Sequence, residues 1–357
     1  MSTLQVGLAI VGGLVLAAVV AHGAWTSRRS QPRQAEPQAP DAEAQRAARR
    51  EPGFEPGSEP GLGTDFEPSL DGLGGALPLP VVEKKLLMDT LIDVIAPITL
   101  DAPVSGEAVL AALPATRRVG SKPFAVEGLN EHTQQWEPPH PGHWYGALQA
   151  GIQLANRSGA LNEIEYSEFV VTAQAFADTM GGTPEFPEML DEVARARELD
   201  HFASTHDAQL GVTLRARHAA WSPGYVHQCA ARLGFVPGAI PGRMVLPASV
   251  AGQPPLLGLA FDSQAALSED LDQSALRELS LSLEVAQVDR HEQPFARMRE
   301  AADALAATMD GLVTDDNGQP LSTEALDQIG AELEKLYDTL DARELSAGSV
   351  LARRLFS

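Results

Sequence analysis

A chain of 357 residues carries 48 acidic against 26 basic side chains, a formal charge of −22. That surplus opposes nucleic acid or an anionic membrane surface as the main ligand, and aromatic residues at 5% are too few for rows of base-stacking platforms. The one cysteine, Cys229, excludes an intramolecular disulfide framework and fits a reducing compartment.

Leu4 to Ala21 is apolar except for Gln5 and runs into His22, Gly23, Ala24 and Trp25, then Ser27, Arg28 and Arg29. About 20 apolar residues cross a bilayer core as a helix. Basic residues follow this run and none precedes it, the reverse of a secretory leader, and the positive-inside bias puts that side in the cytoplasm. Residues 1–27 are expected to form a transmembrane anchor, with Trp25, Arg28 and Arg29 at the membrane interface. Residues 28–84 then read as a flexible linker. They include three Glu-Pro-Gly steps, at Glu51, Glu55 and Glu59, and Pro/Gly punctuation with few large apolar residues cannot offset the ordering entropy.

From Leu91 the pattern turns globular. Residues 85–206 are expected to be an α+β unit: strand Leu91 to Leu100, a short helix from Ser105 stopped by Pro114, strands at Pro123 to Leu129, Trp144 to Ala155 and Glu168 to Phe176, and a helix from Pro187 to about Ala203. Residues 207–342 form a second unit. Gln209 to Arg215 alternates, as does Leu279 to Val285, the mark of half-buried strands. Ser222 caps a helix with Pro223 in its first turn and Gly234 as its stop; Arg243 to Pro247 and Leu256 to Phe261 read as strands. A helix opens at Pro294, a hairpin turns on Asp316-Asn317-Gly318, and Ser322 caps a last helix. Residues 343–357 are left as a tail. Both units run strand, helix, three strands, Pro-opened helix, strand, which suggests a degenerate duplication, with the strand after Asp207 able to close the first sheet while opening the second.

The exit sequence His22-Gly23-Ala24-Trp25-Thr26-Ser27-Arg28 resembles that of the ZipA family, the membrane-anchored bacterial division proteins that bind the tubulin-like FtsZ. The likeness continues over the unit from about Ala208 to Asp341, through Leu233-Gly234-Phe235, the alternating strand at Leu279 and the run Ala306 to Asp316. It implies an adaptor, not an enzyme, without cofactor, anchored in the inner membrane with its N-terminus periplasmic and its domains cytoplasmic, acting in septum assembly. It also implies helices covering one face of an antiparallel sheet whose open face holds the C-terminal peptide of FtsZ. The positions that alternate outward here are Gln209, Gly211, Thr213, Gly258, Ala260, Ser280 and Ser282, with Glu284. They are small and polar where the family has aromatic and methionine side chains, so a second seat is kept open around Trp144, Tyr145 and Phe169, for a different division-site partner bound through residues 85–206.

Chemical motifs are sparse. His140 and His143 flank Pro141-Gly142, a His-x-x-His spacing without a third ligand nearby; a membrane-anchored metal-dependent enzyme built on them is the weakest alternative. Asp315, Asp316 and Asn317 lack the further carboxylates of a calcium loop and read as turn chemistry. No catalytic residue and no metal set is assigned.

Overall fold

The computed structural model describes residues 33–34, 88–267 and 274–357. Among these residues no helix is long and apolar enough to cross a membrane. The Leu4–Ala21 run, Trp25, Arg28 and Arg29 lie outside them, as does the linker apart from Arg33 and Gln34. Arg33 is placed against the fold: its N–H donates to the Ala220 carbonyl at 2.7 Å and its carbonyl accepts from Ser222 N–H at 2.9 Å.

The first lobe is built on β1 (Asp93–Ser105), β2 (Arg118–Val119), β3 (Lys122–Asn130), β4 (Trp136–Glu137) and β5 (Trp144–Gln153), followed by the small hairpin β6 (Ala155–Asn156) and β7 (Gly159–Ala160), and by β8 (Gly182–Pro184). Three helices accompany them: α1 (Gly106–Ala112), α2 (Glu163–Met180) and α3 (Met189–His206). The second lobe contains β9 (Gln209–Ala216), α4 (Pro223–Arg232), β10 (Val236–Pro237), β11 (Arg243–Leu246), β12 (Leu257–Ala260), the single turn α5 (Ser263–Ala266), β13 (Glu278–Glu284), α6 (Pro294–Met309), β14 (Gly311–Thr314) and α7 (Thr323–Ala342). A last helix, α8 (Val350–Leu355), ends the chain.

The main sheets are antiparallel, in the orders β2-β3-β5-β1-β8 and β10-β11-β12-β13-β9-β14. Apart from β10 these are one topology: β2-β3-β5-β1-β8 matches β11-β12-β13-β9-β14. In each lobe a helix follows the first strand (α1, α4), a second precedes the last strand (α2, α6) and a third follows it (α3, α7). The repeat is real in its topology, but the expected alignment was off by one element. Residues Glu168 to Phe176 are not a strand; they belong to α2. The stretch Phe169-Val170-Val171-Thr172 has strand composition, yet Tyr166, Phe169, Ala173, Phe176 and Ala177 are the buried positions, a helical spacing. A capping box fixes the start, with Asn162 accepting from Glu165 N–H and the Glu165 carboxylate reaching back to Asn162 N–H. The partner of the Pro294 helix is therefore α2, not the helix after Pro187. The strand after Asp207, β9, pairs only within the second sheet, with β13 and β14.

Local chemistry elsewhere agrees with the sequence. Ser105, Ser222 and Ser322 accept capping bonds at the starts of α1, α4 and α7. The Asp315–Gln319 turn closes with Gly318 at φ +78°. In the second lobe Val212, Leu214, Leu257, Leu259, Leu279, Leu281 and Leu283 point to the helices and are buried.

The last residues are structural. In α8, Leu355 and Phe356 are at most 1% exposed, each burial worth about 1.5–3 kcal/mol. The Arg354 guanidinium forks onto the Asp93 carboxylate of β1 at 2.6 and 2.9 Å. Gln153 of β5 donates to the Arg354 carbonyl at 2.8 Å, and Gln287 of the second lobe donates to that of Phe356 at 2.7 Å. A second link joins the lobes: Arg157, in the β6–β7 turn, holds Asp207 at 2.7 Å and Glu284 of β13 at 2.5 Å.

Burial pushes the Asp93 carboxyl above its usual range despite the pull of Arg354. Removing that cation in Arg354→Ala leaves a buried carboxylate unpaired, and the expected loss of stability is about 3–5 kcal/mol in denaturant melts at neutral pH. A carboxyl whose folded pKa is raised favours folding most below its unfolded pKa, and that contribution is lost as pH rises through the folded value. The deficit of the variant should accordingly shrink in mild acid. A deficit under 1 kcal/mol at neutral pH would show that the pair is incidental.

Candidate functional site

The alternation of β9, β12 and β13 turns one set of side chains to the core and the other to the open face of the second sheet. Register then decides which outward residues are neighbours. Val236, Val245, Gly258, Ser282 and Gly211 stand directly opposite one another in turn, forming a row across five strands. The next row is Arg243, Ala260, Ser280, Thr213 and Thr314. Glu284 and Gln209 pair at one end of the strands, with the Gln209 amide donating to the Glu284 carboxylate; Glu278 and Arg215 pair at the other, Nε to Oε2 at 3.6 Å.

All seven residues singled out from the sequence, Gln209, Gly211, Thr213, Gly258, Ala260, Ser280 and Ser282, thus lie on this one face, and all are exposed or half-exposed. The floor is low because the residues are small. A Cβ on Gly258 would come within 2.7 Å of Ser282 Oγ. Ser280 Oγ donates to the Ala260 carbonyl at 3.4 Å. Thr213, Arg215, Ala260 and Ser280, together with Phe261 and Asp316, line a groove of about 640 Å³. Missed in the sequence were Val236, Val245, Arg243 and Arg215. The first three sit on a two-residue and a four-residue strand, too short to show a period.

The corresponding face of the first sheet is covered at one end and in the middle, while Pro97 and Thr99 toward the other end stay exposed and Ala147 and Leu129 half-exposed. Asp93 and Gln153, at one end, are covered by Arg354 and its carbonyl. In the middle, Met88 is buried over β5: a Cβ on Gly151 would lie 2.2 Å from Met88 Sδ. The Met88 N–H donates to the Glu127 carboxylate at 3.2 Å, and Gln149 donates to it at 2.8 Å, burying a charged group on what would otherwise be solvent-facing sheet.

Of the aromatic residues proposed as a second seat, Tyr145 and Phe169 are core, at 0% exposure, and only Trp144, at 55%, reaches solvent. It borders a shallow groove of about 610 Å³ with Asn130, His132 and His143. His143 Nδ1 lies 2.5 Å from Glu137 Oε1, which also accepts from Asn130 at 2.6 Å, while the His140 backbone N–H donates to the Tyr145 hydroxyl at 2.8 Å. The histidines are tied into a loop network. Among the described residues no group of three or more His, Cys, Asp or Glu could hold a metal ion.

Residues 264–332 match the family model described as ZipA, C-terminal FtsZ-binding domain. The match runs from α5 through β13, α6 and β14 into α7, so it includes Ser280 and Ser282 and stops short of β9 and β12. The likeness to ZipA read in the sequence is borne out on these residues. No curated protein matches the chain.

Proposed function

We propose that this chain is a membrane-tethered adaptor whose second lobe takes the C-terminal tail of FtsZ on its open sheet face and attaches FtsZ filaments to the inner membrane during septum assembly. Support comes from the family match on β13, α6 and β14. The observation that carries the reading is the contrast between the two sheets: one topology occurs twice, the first copy has the end and middle of its outward face covered by Arg354, Met88 and Glu127, and in the second copy the residues of β9, β12 and β13 on that face are all exposed or half-exposed. A segment laid on Gly258, Ser282 and Gly211 approaches the backbone closely, because none of the three is longer than serine; the Asp316 carboxylate stands beside Gly211.

The apolar N-terminal run, with Arg28 and Arg29 after it, supplies the tether in this reading, and the division of labour follows from effective concentration. Many copies held on one membrane engage one filament together, so each lobe need bind only modestly. The competing partner site is the Trp144 groove of the first lobe, favoured by the exposure of that side chain.

Substitution separates the two sites. Ala260→Arg and Ser282→Arg place a bulky charge on the floor of the open face without touching the core, so stability should change by no more than about 0.5 kcal/mol. Binding of an FtsZ tail peptide to the full chain in lipid nanodiscs, read by fluorescence anisotropy, should fall at least about tenfold, an order set by the loss of a central contact. Trp144→Ala should bind as the parent does. The opposite pattern would move the receptor to the first lobe.

Topology gives a further check. A reporter fused after Ser357 should be active only in the cytoplasm, and protease added from the periplasmic side should leave the residues after 30 intact. Cleavage of the C-terminal lobes from outside would contradict both the anchor and the FtsZ reading.

A further inference from the structure

The open face of the second lobe is bounded at one end of its strands and along its β14 side. At one end Arg157, from the first lobe, reaches Glu284, which also holds the Gln209 amide. Along its β14 side the Asp315–Gln319 turn continues past Thr314 beside β9, with Asp316 Oδ1 3.9 Å from where a Cβ on Gly211 would lie and Arg215 Nη1 2.6 Å from a Cβ on Gly318. A segment crossing the strands runs from the β10 edge to this turn. The row from Val236 to Gly211 spans about 19 Å at the usual strand spacing, the length of about six extended residues.

Along that row the middle is flat, with Gly258, Ser282 and Gly211. Beyond Asp316 at the Gly211 end, side chains rise at the β10 edge, where Val236, opposite Val245, is 44% exposed, and Ile240 in the β10–β11 turn is 58% exposed. Beside them, one row on, stands Arg243, an exposed residue opposite Ala260. Among the described residues Arg243 has no ion-pair partner. Exposed aliphatic side chains next to an unpaired cation, on a chain of net charge −22, form a surface complementary to one kind of ligand. The net charge of the chain repels an acidic segment except near such cations.

Resting on the reading that the tail lies on this face, we infer that the β10–β11 edge is its specificity subsite: an apolar side chain of the peptide seats on Val236, Val245 and Ile240, and an adjacent carboxylate pairs with Arg243. The flat middle of the face then contributes close backbone approach, and the edge fixes register and direction. Apolar contact supplies most of the affinity, and the arginine supplies discrimination.

The test uses the full chain in nanodiscs and two synthetic probes, the C-terminal peptide of FtsZ and the same peptide with each Asp and Glu changed to Asn and Gln. Arg243→Glu should weaken the natural peptide on the order of twentyfold at low salt and flatten its salt dependence, as reversal of a rim charge does. It should leave the neutralised peptide bound as by the parent, and Arg243→Lys should restore most of the loss. Val236→Ser should weaken both peptides alike. Thermal melts matching the parent's guard against misfolding, since Arg243 is exposed. If Arg243→Glu binds the natural peptide normally while Ser282→Arg abolishes binding, the face is right and the subsite is wrong. If Ser282→Arg binds normally, the reading beneath the inference fails as well.

Discussion

The fork between Arg354 and Asp93 ties the end of the chain to the start of its first strand, and much of the remaining geometry depends on it. Asp93 is 2% exposed, so the carboxylate is held in a place water cannot reach and is tolerable only with the guanidinium against it. Bringing Arg354 there carries Leu355 and Phe356 into the core and lets Gln153 and Gln287, one from each lobe, close on the backbone of the same short helix. Two lobes that could otherwise drift about one connection are thereby fixed by the last turn of the chain. Arg157, clasping Asp207 and Glu284, makes the same link from the opposite direction.

The same clamp assigns the two sheets different tasks. They share strand order, helix placement and an open face, and in a one-sided antiparallel sheet that face is ordinarily left to water. In the first lobe part of it is spent on the molecule itself: α8 covers the Asp93–Gln153 end, Met88 fills the space above Gly151, and Glu127 is buried between Met88 and Gln149, while Pro97 and Thr99 stay exposed. In the second lobe the equivalent positions are Gly258, Ser282 and Gly211, with nothing laid across them among the described residues. The first copy gives part of its face to contacts that join the lobes, and the second leaves Gly258, Ser282 and Gly211 exposed or half-exposed.

Much of the second lobe was legible because its signals are periodic. Leu279 to Val285 alternates without a fault, and Ser222-Pro223 and Ser322 announce their helices, so the outward residues of β9, β12 and β13 could be placed on one face from their order alone. Three features were not legible, each for a physical reason. Helix α2 was read as a strand because Phe169, Val170, Val171 and Thr172 carry β-forming side chains, although the Asn162–Glu165 capping box was in plain view. The edge of the candidate site was missed because β10 is two residues long and Arg243 opens a strand of four, below the length at which a period exists. The role of residues 343–357 depends on Arg354 meeting a carboxylate 261 positions away, a pairing no local pattern announces.

The central claim is that the two open faces differ in availability, and hydrogen exchange of the full chain with and without the FtsZ tail peptide tests it most directly. Amides of β11, β12 and β13 should gain protection on peptide addition, from Arg243 to Ala260 and from Glu278 to Glu284, while those of β1 and β5 stay unchanged. Protection confined to β1, β5 or the loop before Trp144, with the second sheet unaffected, would contradict the account.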